Sequence, residues 1–345
     1  MTGPSTPRVL LVGAGAMGSH HGRVISESPR CQLAAVVDPA EARGRKLAKR
    51  FGADWLPEIG SLSPIDAVVV ASSTDQHRNI GMDVLSAQIP LFMEKPLCAS
   101  LGESREIVDM ALRRGIPLMC GFIERFNPAV LEALSRSVHP DAVVAHRLSG
   151  YSPRMHTGVT WDLLVHDVDI TLRLFDEEAP KIVNAAVTHN SDRGRIGEDA
   201  VATRLEFSDA RTAALSASRV SSQRARQLTI FEQHRAIVAD LLNPSVTIYP
   251  REDPRSPFTA EDFSSSKDIL ERIDCSGRSD PLTAQWNRFM DLLGGRADAF
   301  TETHSILPSH ETVAAILDAA SMEDPTTELP DSRTANRNTT APTSR

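Results

Sequence analysis

Five short runs in the first third of the chain are apolar at nearly every position: VLLVG (9–13), LAAVVD (33–38), DAVVVASS (66–73), IPLFMEKP (89–96) and IPLMCGF (116–122). Segments of helical length lie between them, at 16–28, 40–51, 76–87 and 100–114. Strands that are apolar throughout are buried on both faces, and alternation with helices implies a parallel sheet covered on both sides. The pattern predicts a doubly wound α/β domain whose last strand ends near Phe122, with the domain boundary at residue 124.

Beyond this point the periodicity changes. A helix is predicted from Asn127 and Pro128, a strand at 142–150, and an apolar helix at 160–175. Six alternating runs follow about ten residues apart: IVNAAVTH, DAVATRLEF, RTAALSAS, ARQLTIFEQ, AIVADL and SVTIYP. Such spacing, with turn residues between, predicts an antiparallel sheet. Residues 250–280 are rich in Pro, Ser, Asp and Arg and read as a long loop, and helices at 280–294 and 309–321 close the second domain, 125–324. The polar stretch from Pro325 to Arg345 reads as a disordered tail.

The junction of the first strand and helix carries chemistry. Gly13, Gly15 and Gly18 form G-x-G-x-x-G, with Ala16 and Met17 inside it, and Asp38 ends the next strand. The first glycine permits a tight turn, the second lets backbone approach a pyrophosphate, and the third lets helix and strand pack closely. Asp38 can accept from an adenosine ribose and would repel a 2′-phosphate, which favours NAD over NADP. Ser72, Ser73, Thr74 and His77 follow the third run, where hydroxyls can reach a ribose or phosphate. They could equally open the next helix, with Thr74 or Asp75 as its cap.

Composition narrows the class of function. The 345 residues carry a net charge of −8 with no basic run, which argues against nucleic acid and anionic membranes as partners. No apolar run is long enough to span a bilayer, and the N-terminus lacks a signal-peptide pattern, so a cytoplasmic location is expected. Cys31, Cys98, Cys120 and Cys275 are scattered and read as reduced, mostly buried thiols.

Lysine is scarce, so Lys95 in Glu94-Lys95-Pro96 stands out at the end of the fourth apolar run. Ligands of parallel sheets lie at the carboxyl ends of strands, which would aim Lys95 at a nicotinamide and set Glu94 and Pro96 against the cofactor as well. It could stabilise an alkoxide or exchange a proton with a hydroxyl; alternatively it is a surface lysine paired with Glu94. A cis Lys95–Pro96 bond would fix its direction. In TWDLLVHDVDITLRLF (160–175) a polar stripe, Asp162, His166, Asp169 and Arg173, runs down an otherwise apolar helix. Buried charge is costly unless paired or used. The functional reading makes His166 an acid/base, titrating near neutrality and oriented by Asp162. The structural reading pairs Asp169 with Arg173 and His166 with backbone. No metal site is expected. Arg125 could hold a substrate phosphate or a cofactor amide, or tie the domains together; Asn127 could be a helix cap.

G-x-G-x-x-G, then E-K-P, then D-x-x-x-H resembles the glucose-fructose oxidoreductase and inositol dehydrogenase family (Gfo/Idh/MocA) over about residues 8–321. The resemblance implies a Rossmann domain followed by an α/β domain with a large, mainly antiparallel sheet. That sheet would bind substrate and form the subunit interface of a homodimer or homotetramer. The family's lysine falls on Lys95 and its Asp and His on Asp162 and His166. GFIERFNPAV (121–130) and GVTWDLLVHDVDI (158–170) are similar to the branch that contains UDP-N-acetylglucosamine 3-dehydrogenases.

The expected function is NAD-dependent oxidation of a secondary hydroxyl, at C3, of a sugar, sugar nucleotide or aminoglycoside. Lys95, Arg125, Asn127, Trp161, Asp162 and His166 would line the substrate site. Alternatives are a cyclitol dehydrogenase, a redox-neutral glycosidase or epimerase, an NAD-sensing regulator, and a reductase of an imine or ring carbonyl.

Overall fold

The computed structural model describes residues 6–62, 64–151, 157–176, 178–189, 197–250 and 270–322. The expected disordered tail, and most of the expected 250–280 loop, lie outside the described residues. The first domain contains β1 (Arg8–Val12), α1 (Ala16–Glu27), β2 (Gln32–Val37), α2 (Glu41–Phe51), β3 (Asp54–Leu56), β4 (Ala67–Val70), α3 (Thr74–Ser86), β5 (Leu91–Met93), α4 (Leu101–Arg114) and β6 (Leu118–Cys120). Its six parallel strands run in the order β3-β2-β1-β4-β5-β6. The order reverses between β1 and β4, and a crevice opens at such a switch point. Every residue of β1 but Arg8, and every residue of β4, β5 and β6, is buried, as the unbroken apolar runs require. Only β3 was not expected; its three residues carry no apolar pattern.

A single 3-10 turn (Ile123–Phe126) leads to α5 (Pro128–Arg136), β7 (Ala142–Leu148) and a buried helix. This helix begins with a π-turn, Thr160–Leu164, and continues as α6 (Val165–Leu174). Then come β8 (Ile182–Thr188), β9 (Ala200–Glu206), β10 (Thr212–Ser218), β11 (Ala225–Glu232), β12 (Arg235–Asp240), β13 (Ser245–Pro250) and β14 (Glu271–Asp274). The eight strands run β14-β13-β12-β11-β7-β10-β9-β8, all antiparallel except β7 beside β10. Strand β14 corrects the expectation of a loop reaching to residue 280. Its one alternating apolar residue, Ile273, was too weak a signal, and pairing with β13 forms the strand.

One face of this sheet carries α5, α6 and, later, α9. The chain ends with α7 (Pro281–Leu293), α8 (Ala299–His304) and α9 (Leu307–Met322). Helix α7 returns to the first sheet, where Trp286, Phe289 and Met290 join the core of Val9, Leu11 and Phe92. Helix α9 packs against both α4 and α6, so the sheets meet through it and the π-turn faces the end of β5.

Candidate active site

Gly13 holds φ +101°, and a Cβ there would lie 2.5 Å from the Ala71 carbonyl oxygen. A Cβ on Gly18 would lie 1.9 Å from the Gly13 oxygen, so neither glycine can be replaced without moving backbone. Around Gly15 nothing lies within 4 Å of a Cβ position, which leaves its backbone open to the crevice. A cleft of about 690 Å³ starts here, lined by Gly13, Gly15, Asp38, Arg43, Glu58, Ser72, Ser73 and Gln76. The room at Gly15 and the facing start of α1 fit a pyrophosphate and its flanking riboses. Ala16 is exposed at the first turn of α1, while Met17 is half-buried against the core.

Asp38 is buried, and its carboxylate accepts from Ala14 N (2.7 Å) and Ala40 N (2.8 Å) and from both arms of the Arg43 fork (2.9 and 3.0 Å). Burial alone would raise its pKa, but Arg43 and the two backbone N–H groups hold it below the usual carboxylate range. Ser73, not Thr74 or Asp75, occupies the cap position of α3, and its side chain makes no capping bond. Thr74 is the first residue of that helix.

His77 does not face the cleft. It is buried, with Nδ1 3.1 Å from the Pro96 carbonyl and 3.2 Å from that of Leu97. Two more buried histidines act on the same turn. His310 Nδ1 donates to the Ile306 carbonyl (2.9 Å), leaving Nε2 to accept from Leu97 N at 3.1 Å. His21 Nε2 lies 2.6 Å from Glu94 Oε1, and the other Glu94 oxygen accepts from Lys95 N. Glu94 is therefore an anchor inside the protein, where a cofactor contact was expected. Three helices, α1, α3 and α9, thus clamp the turn that presents Lys95, whose bond to Pro96 is cis. Burial pushes the His77 imidazole down, and pushes His310 down to about 4, so both are neutral near pH 7.

Lys95 does not pair with Glu94. Its ammonium crosses to the second domain and donates to the Asp162 carbonyl (2.5 Å) and to Asp162 Oδ1 (2.7 Å). Asp162 was expected to orient His166; it holds Lys95 instead. The helix opens there as a π-turn, in which Val165 N–H bonds back to Thr160 O, five residues away.

His166 is buried, and Nδ1 has no hydrogen-bond partner. Burial, then the charges of Lys95, Arg147 and Arg226, hold its pKa well below the ordinary value, contrary to the expected titration near neutrality. Thr160 Oγ1 and Asp162 Oδ2, on the same turn, also lack partners. Buried polar atoms are nearly always satisfied, so three open ones on one turn at the domain junction mark a place for a polar ligand.

The other stripe residues are structural. Asp169 receives both arms of Arg125 (2.6 and 2.8 Å) and the Ser309 hydroxyl (2.8 Å), and forms a longer ion pair with Arg173 at 3.9 Å, the partner expected for it. Arg125 also donates twice to Ser305 and is buried, so it ties α6 to the start of α9, and its fork is committed away from substrate. Asn127 Oδ1 caps α5 at Ala129 N, and its amide goes to Glu124 and the Leu241 carbonyl. Both are corrections to an expected substrate role. Trp161 is half-buried and lies tilted on the His310 ring, 5.6 Å between centroids.

Sequence reasoning missed a charged cluster beneath His166. Arg147 on β7 forks onto Asp167 (2.8 and 3.0 Å) and donates to Glu124 (2.7 Å). Half-buried Arg226 on β11 shares Glu124 at 3.1 Å. A signal existed: Arg147 occupies the inward parity of its strand, with Val143 and Ala145. Among the described residues, no group of three His, Cys, Asp or Glu side chains is placed to hold a metal ion. Nor is any helix there long and apolar enough to cross a membrane.

Two family models match, the NAD-binding Rossmann fold of the Gfo/Idh/MocA oxidoreductases over residues 7–122 and the family's C-terminal domain over 134–238. The chain belongs to the Gfo/Idh/MocA family. As a member it is an NAD-dependent oxidoreductase. The UDP-N-acetylglucosamine 3-dehydrogenase of Acidithiobacillus ferrooxidans is 27% identical over 86% of this chain and 91% of its own. Its solved structure superposes with a TM-score of 0.80 at 24% identity, over 91% of this chain and 97% of that one. The inositol 2-dehydrogenase of Acidothermus cellulolyticus is 34% identical over 54% of this chain and 59% of its own. The structure of GenD2, from gentamicin A biosynthesis, in complex with NAD has a TM-score of 0.76 at 22% identity, over 93% of this chain and 97% of that one.

Proposed function

We propose that the protein oxidises a secondary hydroxyl, at C3, of a sugar, sugar nucleotide or aminoglycoside to the ketone. One observation carries this reading: Lys95, locked from one domain, meets a turn of the other whose Thr160, Asp162 and His166 offer unpartnered polar atoms. A polyol hydroxyl both donates and accepts, and so suits such a set. NAD, held along Gly13, Gly15, Asp38, Ser72 and Ser73, supplies the hydride acceptor. Lys95 donates a hydrogen bond to the reacting oxygen and stabilises its developing negative charge. His166, neutral at pH 7, takes the hydroxyl proton. Asp162 keeps the ammonium aimed and balances its charge. The Glu124–Arg147–Asp167–Arg226 cluster backs the helix, and its two arginines help keep the ring neutral.

A cyclitol is the second reading, favoured by the inositol 2-dehydrogenase among the relatives. Screening UDP-sugars, aminoglycosides, free sugars and inositols for NADH formation decides between them. Turnover of inositols alone would overturn the sugar assignment.

The second sheet leaves one face open, where Val144, Ala186, Ala202 and Ala214 present small exposed side chains. Small side chains of this kind let a second copy approach closely, and a homodimer or homotetramer in the cytoplasm completes the proposal. Light scattering that returned a monomer mass would remove the oligomer.

A further inference from the structure

The carboxylate expected to read the ribose is already full. A carboxylate offers about four acceptor positions. On Asp38 these go to Ala14 N, Ala40 N, and Nε and Nη2 of Arg43. Three of the constraints on Asp38 are rigid. Its carbonyl is pinned by Trp55 Nε1 (3.0 Å), and the two backbone N–H groups belong to the glycine turn and the start of α2. A Cβ on Gly44 would sit 2.3 Å from Trp55 and 3.2 Å from the Asp38 Cβ, so α2 packs hard against this corner. Arg43 is the movable partner: its side chain is 56% exposed against 2% for Asp38, and it lines the same cleft.

We propose that Arg43 is the specificity-determining residue of the ribose pocket and admits NADP as a second cofactor. Folded onto Asp38 through Nε and Nη2, the guanidinium balances the carboxylate's charge and keeps Nη1 outside that pair, able to receive a 2′-phosphate. Swung away, it frees two acceptor positions on Asp38 for the hydroxyls of an unphosphorylated ribose. NAD must displace the arginine, whereas NADP uses it where it lies. Glu58, which lines the same cleft, carries an opposing charge that keeps NADP from being preferred outright.

This inference rests on the dinucleotide reading of the cleft, and binding without substrate tests the two separately. Titration calorimetry of the full chain with NAD and with NADP is expected to give dissociation constants within about tenfold of each other. Arg43→Ala is expected to tighten NAD severalfold and weaken NADP at least tenfold, reversing any parity. Arg43→Lys, which keeps charge without the fork, is expected to retain NADP better than Arg43→Ala does. Asp38→Asn is expected to weaken NAD more than NADP. An unchanged NAD-to-NADP ratio in Arg43→Ala, or wild-type protein that binds NAD but no NADP at millimolar concentration, overturns the proposal. Failure of wild-type protein to bind either dinucleotide overturns the reading of the cleft itself. Melting curves of each variant show that the fold survives, as the exposure of Arg43 leads one to expect.

Discussion

Two turns face each other across the domain junction, and they are finished in opposite ways. In the Glu94–Leu97 turn, the Glu94 side chain, Lys95 N, the carbonyls of Pro96 and Leu97, and Leu97 N are all taken, by buried histidines or within the turn. In the Thr160–His166 turn, three buried side-chain atoms are left open. The first arrangement spends its hydrogen bonds on fixing one ammonium. The second leaves them for whatever enters. Between these two turns, completed bonds mark the structural groups and open ones the receptive groups, a sorting that residue type does not give. Arg125 and Asn127 are polar, buried and beside the site, yet their bonds are complete.

The sharpest break in this contrast is Lys95→Ala. It removes the one mobile group of the saturated turn, so kcat is expected to fall by about a thousandfold, while NAD binding measured by calorimetry stays within about threefold. Parallel loss of NAD binding would make Lys95 a cofactor ligand. Next is His166→Ala on the receptive side, expected to cost about a hundredfold in kcat. Because burial keeps this imidazole neutral, the rising limb of the wild-type pH–kcat/KM profile should lie well below pH 6.5. A limb centred near 6.5 that disappears in the variant would contradict the buried, neutral base.

Asp162→Asn tests the link between the two turns. The backbone carbonyl still holds Lys95, so about tenfold in kcat is expected, with KM little changed. A larger loss than that of His166→Ala would make the carboxylate the proton acceptor. The smallest expected effect on turnover is at His310. Its folded pKa of about 4 lies below the unfolded value near 6.5. Above pH 6.5 both states are neutral; as pH falls, the unfolded chain takes up a proton that the folded one refuses. Stability should therefore drop by roughly 3 kcal/mol between pH 6.5 and 4 from this group alone. His310→Gln is expected to flatten that decline in urea titrations while kcat at pH 7 changes severalfold at most. A decline unchanged by the substitution would assign it to other groups.

The first domain was legible because its signals are local. G-x-G-x-x-G, the strand before it and the helix after it occupy adjacent positions, and Asp38 follows one βα unit later. The second sheet was legible from its two-residue alternation, apart from the polar strand β14. For the candidate site, the sequence singled out residues but not their pairings. Lys95, Asp162 and His166 stood out as charge in apolar surroundings, but the pair expected within one helix, Asp162 with His166, gave way to one across the domains, Asp162 with Lys95. His21, His77 and His310 look alike in sequence to any buried histidine, and only their convergence on one turn gives them a task.

What the amino-acid sequence determined alone is what depends on neighbours along the chain: the period of burial, the glycines at a turn, and the presence of a lone lysine at a strand's end. Which charge meets which was decided by tertiary structure. Arg125 reaches Asp169 across 44 residues, Lys95 reaches Asp162 across 67, and Leu97 meets His310 across 213. Hydrogen bonds act over about 3 Å and depend on direction. The meeting of two turns across the domain junction, or the return of α9 between two sheets, therefore chooses among partners that sequence spacing leaves equivalent.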